Sequence, residues 1–200
     1  MRHFLASAAA AAAAAVLLVL AGCGQHPAEI VSPFRPTTSF QDIMASVVDP
    51  AVDQIWDAVS TEISKAGVEE KRPQTDEEWL ALRQRAISLA EAANLLVIEG
   101  RPLVAPGKAL DNKDGYLNPE EIQKAINASR PSFISRAHDF QDAATQALTA
   151  IDAKNAGALI EAGAHLQVAC EQCHLIYWYP NGGPPRLPPR DNQQHAANAR

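Results

Sequence analysis

From Phe40 to Ile63 apolar residues recur every three or four positions, through Ile43, Met44, Val47, Val48, Val52, Ile55, Trp56 and Val59. That spacing lines one face of an α-helix with side chains for a core, and Ser39 stands ahead of it as an N-cap. Pro50 falls inside the run. It lacks an N–H and its ring presses on the carbonyl four residues back, so the pattern predicts a kink near residues 46–50, or a fresh helix capped by Asp49.

A second helix is predicted from Thr75-Asp76-Glu77-Glu78, a capping box, with Trp79, Leu82, Ala86, Leu89, Ala93 and Leu96 on one face until Gly100. Residues 101–117 read as loop. Asn118, Pro119 and Glu121 then open a short helix. Beyond Pro131 a third long helix carries Phe133, Ala137, Phe140, Ala144, Ala147 and Ile151, and Asn155 or Gly157 marks the start of the next. The fourth aligns Leu159, Gly163, Leu166, Cys170 and Cys173 on its inward face and stops at Pro180. No segment alternates as a half-buried strand would. Four long amphipathic helices predict an all-α fold, an antiparallel up-down four-helix bundle over residues 39–179.

The flanks carry different information. Residues 1–22, with Arg2 and His3 ahead of an alanine-rich apolar stretch, read as an export signal, and the stretch is too short and alanine-rich for a comfortable membrane span. It ends in Leu20-Ala21-Gly22-Cys23, which resembles the bacterial lipobox. That resemblance implies a lipid anchor on Cys23 and a place on the periplasmic side of a bacterial membrane. Gly24 stands where an aspartate commonly retains lipoproteins at the inner membrane, so the outer membrane is favoured. Residues 23–38 read as a flexible tether and 180–200 as a disordered tail. The formal net charge of −6 becomes −7 once Arg2 is lost, which argues against nucleic acid or anionic lipid as partners of the soluble part. The membrane would be held through Cys23 instead.

With Cys23 lipidated, Cys170 and Cys173 are the remaining thiols, within Cys170-Glu171-Gln172-Cys173-His174. At about 100° per residue both cysteines and His174 share a sector of about 100° on one helix. Two thiols that can add to the vinyl groups of haem, with an imidazole to turn onto its iron, make this the pattern of c-type haem attachment. A reactive dithiol is disfavoured, because its first cysteine usually sits at a helix N-terminus and this pair lies near a C-terminus. A zinc site would want a fourth ligand and usually a second cysteine pair. Two buried structural cysteines beside a histidine are the plainest alternative. Export favours haem, whose covalent attachment takes place outside the cytoplasmic membrane.

In an up-down bundle the C-terminus of the fourth helix lies beside the N-terminus of the first. Met44 is there, and a thioether is a good axial donor to iron, although a methionine on an apolar stripe is most often core filler. His165 lies about 13 Å along the axis from His174 and cannot reach the same iron. His138 falls beside the apolar stripe of the third helix, and His26 and His195 lie in the tails. "LDNKDGYLNPEE", residues 110–121, nearly matches an EF-hand calcium loop through Asn112, Asp114, Gly115 and Glu121. Leu110 occupies the first ligand position, and a turn feeding a helix cap explains the same residues.

Together, the helix-rich pattern, the single Cys170-Glu171-Gln172-Cys173-His174 near the C-terminal end and Met44 in the opening helix resemble the class II cytochromes c, the cytochrome c-prime family. "QDIMASVVDPAVDQIWDAV", "RPQTDEEW" and "CEQCHLIYWYP" are similar to a group of exported bacterial cytochrome c-like proteins. The resemblance implies one covalently attached haem c, with Cys170 and Cys173 as attachments, His174 as proximal ligand and Met44 where low-spin members carry a distal methionine. High-spin members leave that side open to small gases. The long segment between the second and third helices, the lipidation signal and Tyr177-Trp178-Tyr179 after the motif depart from the family pattern. The expected function is single-electron transfer among redox partner proteins of the cell envelope, by a carrier rather than an enzyme, with a homodimer allowed. The alternative expectation is a five-coordinate haem protein that binds or senses a gas.

Overall fold

The computed structural model describes residues 33–65, 67–110 and 115–180. The signal at residues 1–22, Cys23, His26, most of the tether, the centre of the calcium-like loop, and the tail beyond Pro180 with His195 lie outside the described residues. A compact unit begins at Phe34.

The described chain is mostly helical. A first turn, α1 (Phe40–Ile43), passes into a π-helical turn, Met44–Val48, and on into α2 (Asp49–Ala58). After a small hairpin of β1 (Ser60–Ser64) and β2 (Gly67–Lys71) come α3 (Asp76–Leu96), α4 (Pro119–Ala128), α5 (Arg130–Asp152) and α6 (Ala156–Tyr177). The caps are those the sequence implies. Ser39, Thr75 and Asn118 each accept from the backbone N–H three residues on, and Asp42, Glu78 and Glu121 reach back to complete capping boxes. Asn155 caps α6 by accepting from Ala158, and Pro131 sits in the first turn of α5, where its missing N–H has no partner to lose.

The long helices bury their apolar faces on one another. α3 packs against α2 and, more extensively, α5; α5 packs equally closely against α6, and α6 in turn touches α2. Ile55, Leu89, Ile151, Leu159 and Leu166 are fully buried between them, each stabilising the fold by about 1.5–3 kcal/mol relative to exposure.

Two expectations need correction. The first helix does not run to Ile63; it stops at Ala58, and Val59 is already extended, with φ −137° and ψ 133°. The following residues form an antiparallel hairpin in register Ser60 to Lys71 and Ile63 to Val68, where no strand was expected. Every position of both strands except Ser60 is exposed, so no core face imposes the alternation by which strands are recognised. Turn chemistry and the Ile63–Val68 cross-strand pair form it instead, with Gly67 at φ +131°, a region that side chains rarely enter.

The kink near Pro50 takes a specific form. Proline removes the N–H that would bond to Ser46 and crowds that carbonyl. The ladder responds by slipping one residue, with the Asp49 N–H donating to the carbonyl of Met44, five residues back.

The loop between α3 and α4 is pinned at several points. Phe40 and Gln41, in the first turn of α1, donate their backbone N–H groups to the carbonyls of Pro102 (2.8 Å) and Leu103 (3.0 Å), partners that helix-start amides need. Arg101 donates to the carbonyls of Leu95 at 2.9 Å and Thr38 at 2.7 Å, while Arg130 donates to that of Val97. Leu117 N–H bonds to the carbonyl of Trp178 at 2.8 Å, tying the loop to the end of α6.

Candidate haem site

Near the C-terminus of α6 a cavity of about 500 Å³ opens between four parts of the chain. Phe40, Met44, Val48 and Val52 line it from α1, the π turn and α2. Cys170, Cys173, His174 and Tyr177 line it from α6. Phe133 enters from α5, and Leu103, Tyr116, Ile122 and Ile126 come from the loop and α4. The size lies within the range of cofactor and small-ligand sites, and the walls are chiefly apolar and aromatic as such sites require. A second, smaller cavity of about 50 Å³ also touches Met44, Cys170, Cys173 and His174, with Phe140 and Ala169 behind them.

The residues picked out by the sequence are thus brought to one place. Met44, some 130 residues away in the chain, lines the same cavities as the Cys170-to-His174 segment. Met44, Cys170, Cys173 and His174 are all half-buried. His138 and His165 are exposed and line neither cavity; the Nδ1 of His165 instead lies 2.5 Å from the amide oxygen of Gln146.

The electrostatics favour neutral donors. Burial pushes the Cys170 thiol up to about 12, helped by the nearby Cys173 and Asp49. Burial pushes Cys173 up to about 11, against the opposing pull of Arg136. The two are free thiols, not a disulfide. A redox dithiol works through a stabilised thiolate, and here the thiolate is disfavoured at both positions. Burial also lowers the pKa of His174, against the opposing charge of Glu171, so the imidazole keeps a lone pair free at neutral pH. Among the described residues no three His, Cys, Asp or Glu side chains are grouped to hold a metal ion between them.

The aromatic segment after the motif belongs to the cavity wall. Tyr177, Trp178 and Tyr179 all line it. Tyr179 stacks on Tyr116 with centroids 5.4 Å apart and donates its hydroxyl to Glu171 at 3.0 Å. The rings of Tyr179 and Trp178 lie 5.9 and 6.3 Å from that of His174. Tyr177 meets Phe133 edge-on at 5.5 Å and is only 3% exposed, yet its hydroxyl has no hydrogen-bond partner. An unsatisfied buried hydroxyl costs about 1–3 kcal/mol, and this one is closed off by the packing around it.

A search of protein-family models, curated proteins and solved structures found no match for the chain.

Leu103, Tyr116, Ile122 and Ile126 were not singled out by the sequence, where residues 101–117 read as loop and the short helix from Asn118 was given no buried face. The available signal was Ile122 and Ile126, four apart on α4 and buried: a helix too short to stand alone, whose apolar face needs something to cover. No described helix is long and apolar enough to cross a membrane.

Proposed function

We propose that the protein is a c-type haem carrier of single electrons, built on an antiparallel up-down four-helix bundle and held at the outer face of a bacterial inner membrane or the inner face of the outer membrane by lipid on Cys23. One observation carries this reading: Met44, Cys170, Cys173 and His174 line one chiefly apolar cavity of about 500 Å³. The mutual packing of α2, α3, α5 and α6 supports the bundle. Haem, when bound, supplies a one-electron ferric/ferrous couple.

The chain's own residues have distinct tasks in this reading. Cys170 and Cys173 would hold the cofactor through thioether bonds, and burial keeps both sulfurs as thiols. His174 would offer a neutral imidazole nitrogen to the iron, and Met44 a thioether from the π turn. Phe40, Val48, Val52 and Phe133 keep water from the cavity, which favours the less charged, reduced state. Tyr179, only 4% exposed and bonded to Glu171, closes the wall beside His174, and the half-buried Trp178 offers an aromatic edge toward a partner protein.

Mass spectrometry of the denatured protein, produced with haem-maturation machinery, tests the attachment. The account expects one haem added per chain, and none when both Cys170 and Cys173 are replaced by alanine. A wild-type chain without added mass contradicts it. The second reading, a gas-binding haem protein, draws on the small cavity of about 50 Å³ against Met44 and His174, which offers room for a diatomic. Carbon monoxide binding that leaves the Met44 signals unchanged would favour it.

A further inference from the structure

Five residues spaced four apart, Phe40, Met44, Val48, Val52 and Trp56, all line the large cavity. In an uninterrupted α-helix they could not share it so well. Each step of four residues drifts by about 40°, so the set would fan over about 160°. The π turn at Met44–Val48 absorbs one residue, and with it roughly 100° of rotation. The drift accumulated by Val52 and Trp56 is largely taken back, and the first turn of the helix faces the cavity together with the last.

The cause of the π turn lies at one residue. Pro50 has no N–H to give Ser46 and no room for an α-helical carbonyl there, and it occupies the first turn of α2 directly after the slipped Asp49-to-Met44 bond. Ala45 and Ser46, the residues that bulge, are exposed and make no contact with either cavity. The turn therefore re-aims α1 and Met44 together relative to α2, with its own exposed residues facing away from both cavities. We propose that Pro50 is a positioning residue for Met44: by holding a one-residue slip in the helix, it turns the thioether into the cavity that also receives His174. The role given to Met44 rests on the haem-carrier reading, whereas the direction in which it points does not.

The experiment uses the haem-loaded full chain with a 13C label on methionine methyl groups. In the wild type, the Met44 methyl resonance should be strongly displaced by the haem. In Pro50→Ala the helix is free to close as an α-helix, which should be seen as slowed exchange of the new amide at residue 50. The displaced Met44 signal should then be lost while covalent haem is kept. Deleting Ser46 in the Pro50→Ala background shortens the same helix by one residue and should return Met44 to the cavity, restoring the displaced signal. Should Pro50→Ala alone fail to accumulate, the deletion variant decides: a restored signal supports the proposal and an undisplaced one overturns it. Pro50→Ala with a slowed amide at residue 50 and an unchanged Met44 signal also overturns it. A displaced Met44 methyl that Pro50→Ala moves, in a protein whose iron shows no methionine ligation, contradicts the ligand role alone and leaves the positioning role standing.

Discussion

The indole N–H of Trp56 donates to the backbone carbonyl of Gly163 at 2.9 Å, joining α2 to α6. A Cβ at residue 163 would meet the Trp56 ring at 3.0 and 3.3 Å, so the bond depends on the missing side chain. Gly163→Val should lower stability by about 1–3 kcal/mol through overpacking, despite the better helix propensity of valine. In a Trp56→Leu background most of that loss should vanish, because the two residues share one contact. Urea denaturation of the four combinations measures it; equal losses in both backgrounds would show that the crowding lies elsewhere.

The unpartnered hydroxyl of Tyr177 sets the sign of a substitution there. Tyr177→Phe removes a buried polar group without a partner and should leave the stability of the haem-free chain unchanged or raise it by about 1 kcal/mol. Urea denaturation of the two chains side by side measures it; a loss of about 1 kcal/mol or more would show that the hydroxyl has a partner.

Stability of the haem-free chain should fall in alkaline solution. Folding raises both thiols above their usual value near 9, Cys170 to about 12 and Cys173 to about 11. Between those values the unfolded chain gives up thiol protons that the folded chain retains, so the unfolded state gains and stability drops as pH rises from about 9 toward 11 or 12. Replacing both cysteines by alanine should remove this part of the pH dependence. The denaturant midpoint at several alkaline pH values tests it, and a profile identical in the double variant would contradict the burial argument.

Burial acts in the other direction on His174, lowering its pKa below the usual value near 6.5. Below that value the unfolded chain takes up a proton that folded His174 resists, so stability should fall as pH drops from neutrality through the lowered folded pKa. His174→Gln should flatten that acid limb, as read by thermal melts of the haem-free protein across the same pH range. An unaltered limb would place the acid sensitivity on other groups.

Helix starts were legible because their caps are local: Ser39, Thr75, Asn118 and Asn155 each bond within three residues of themselves. That Cys170, Cys173 and His174 face one side was legible from their spacing in one helix, and that Met44 lies near them from the order of the helices. The hairpin at residues 60–71 escaped because its exposed faces impose no hydrophobic period. The cavity wall from Leu103 and Tyr116 escaped for another reason. It depends on long-range bonds such as Leu117 to Trp178, which leave no periodic trace in sequence. Pro50 announced a kink, but not that the helix would absorb it as a π turn with Met44 at its head.

The central claim is that Met44 and His174, donors from two helices on one cavity, complete the same iron. The ferric absorption spectrum of the haem-loaded protein, recorded beside that of Met44→Ala, tests it most directly. The account predicts a low-spin wild-type spectrum with a methionine-to-iron charge-transfer band that disappears in Met44→Ala. A high-spin wild-type spectrum, or one that Met44→Ala leaves unchanged, would contradict it.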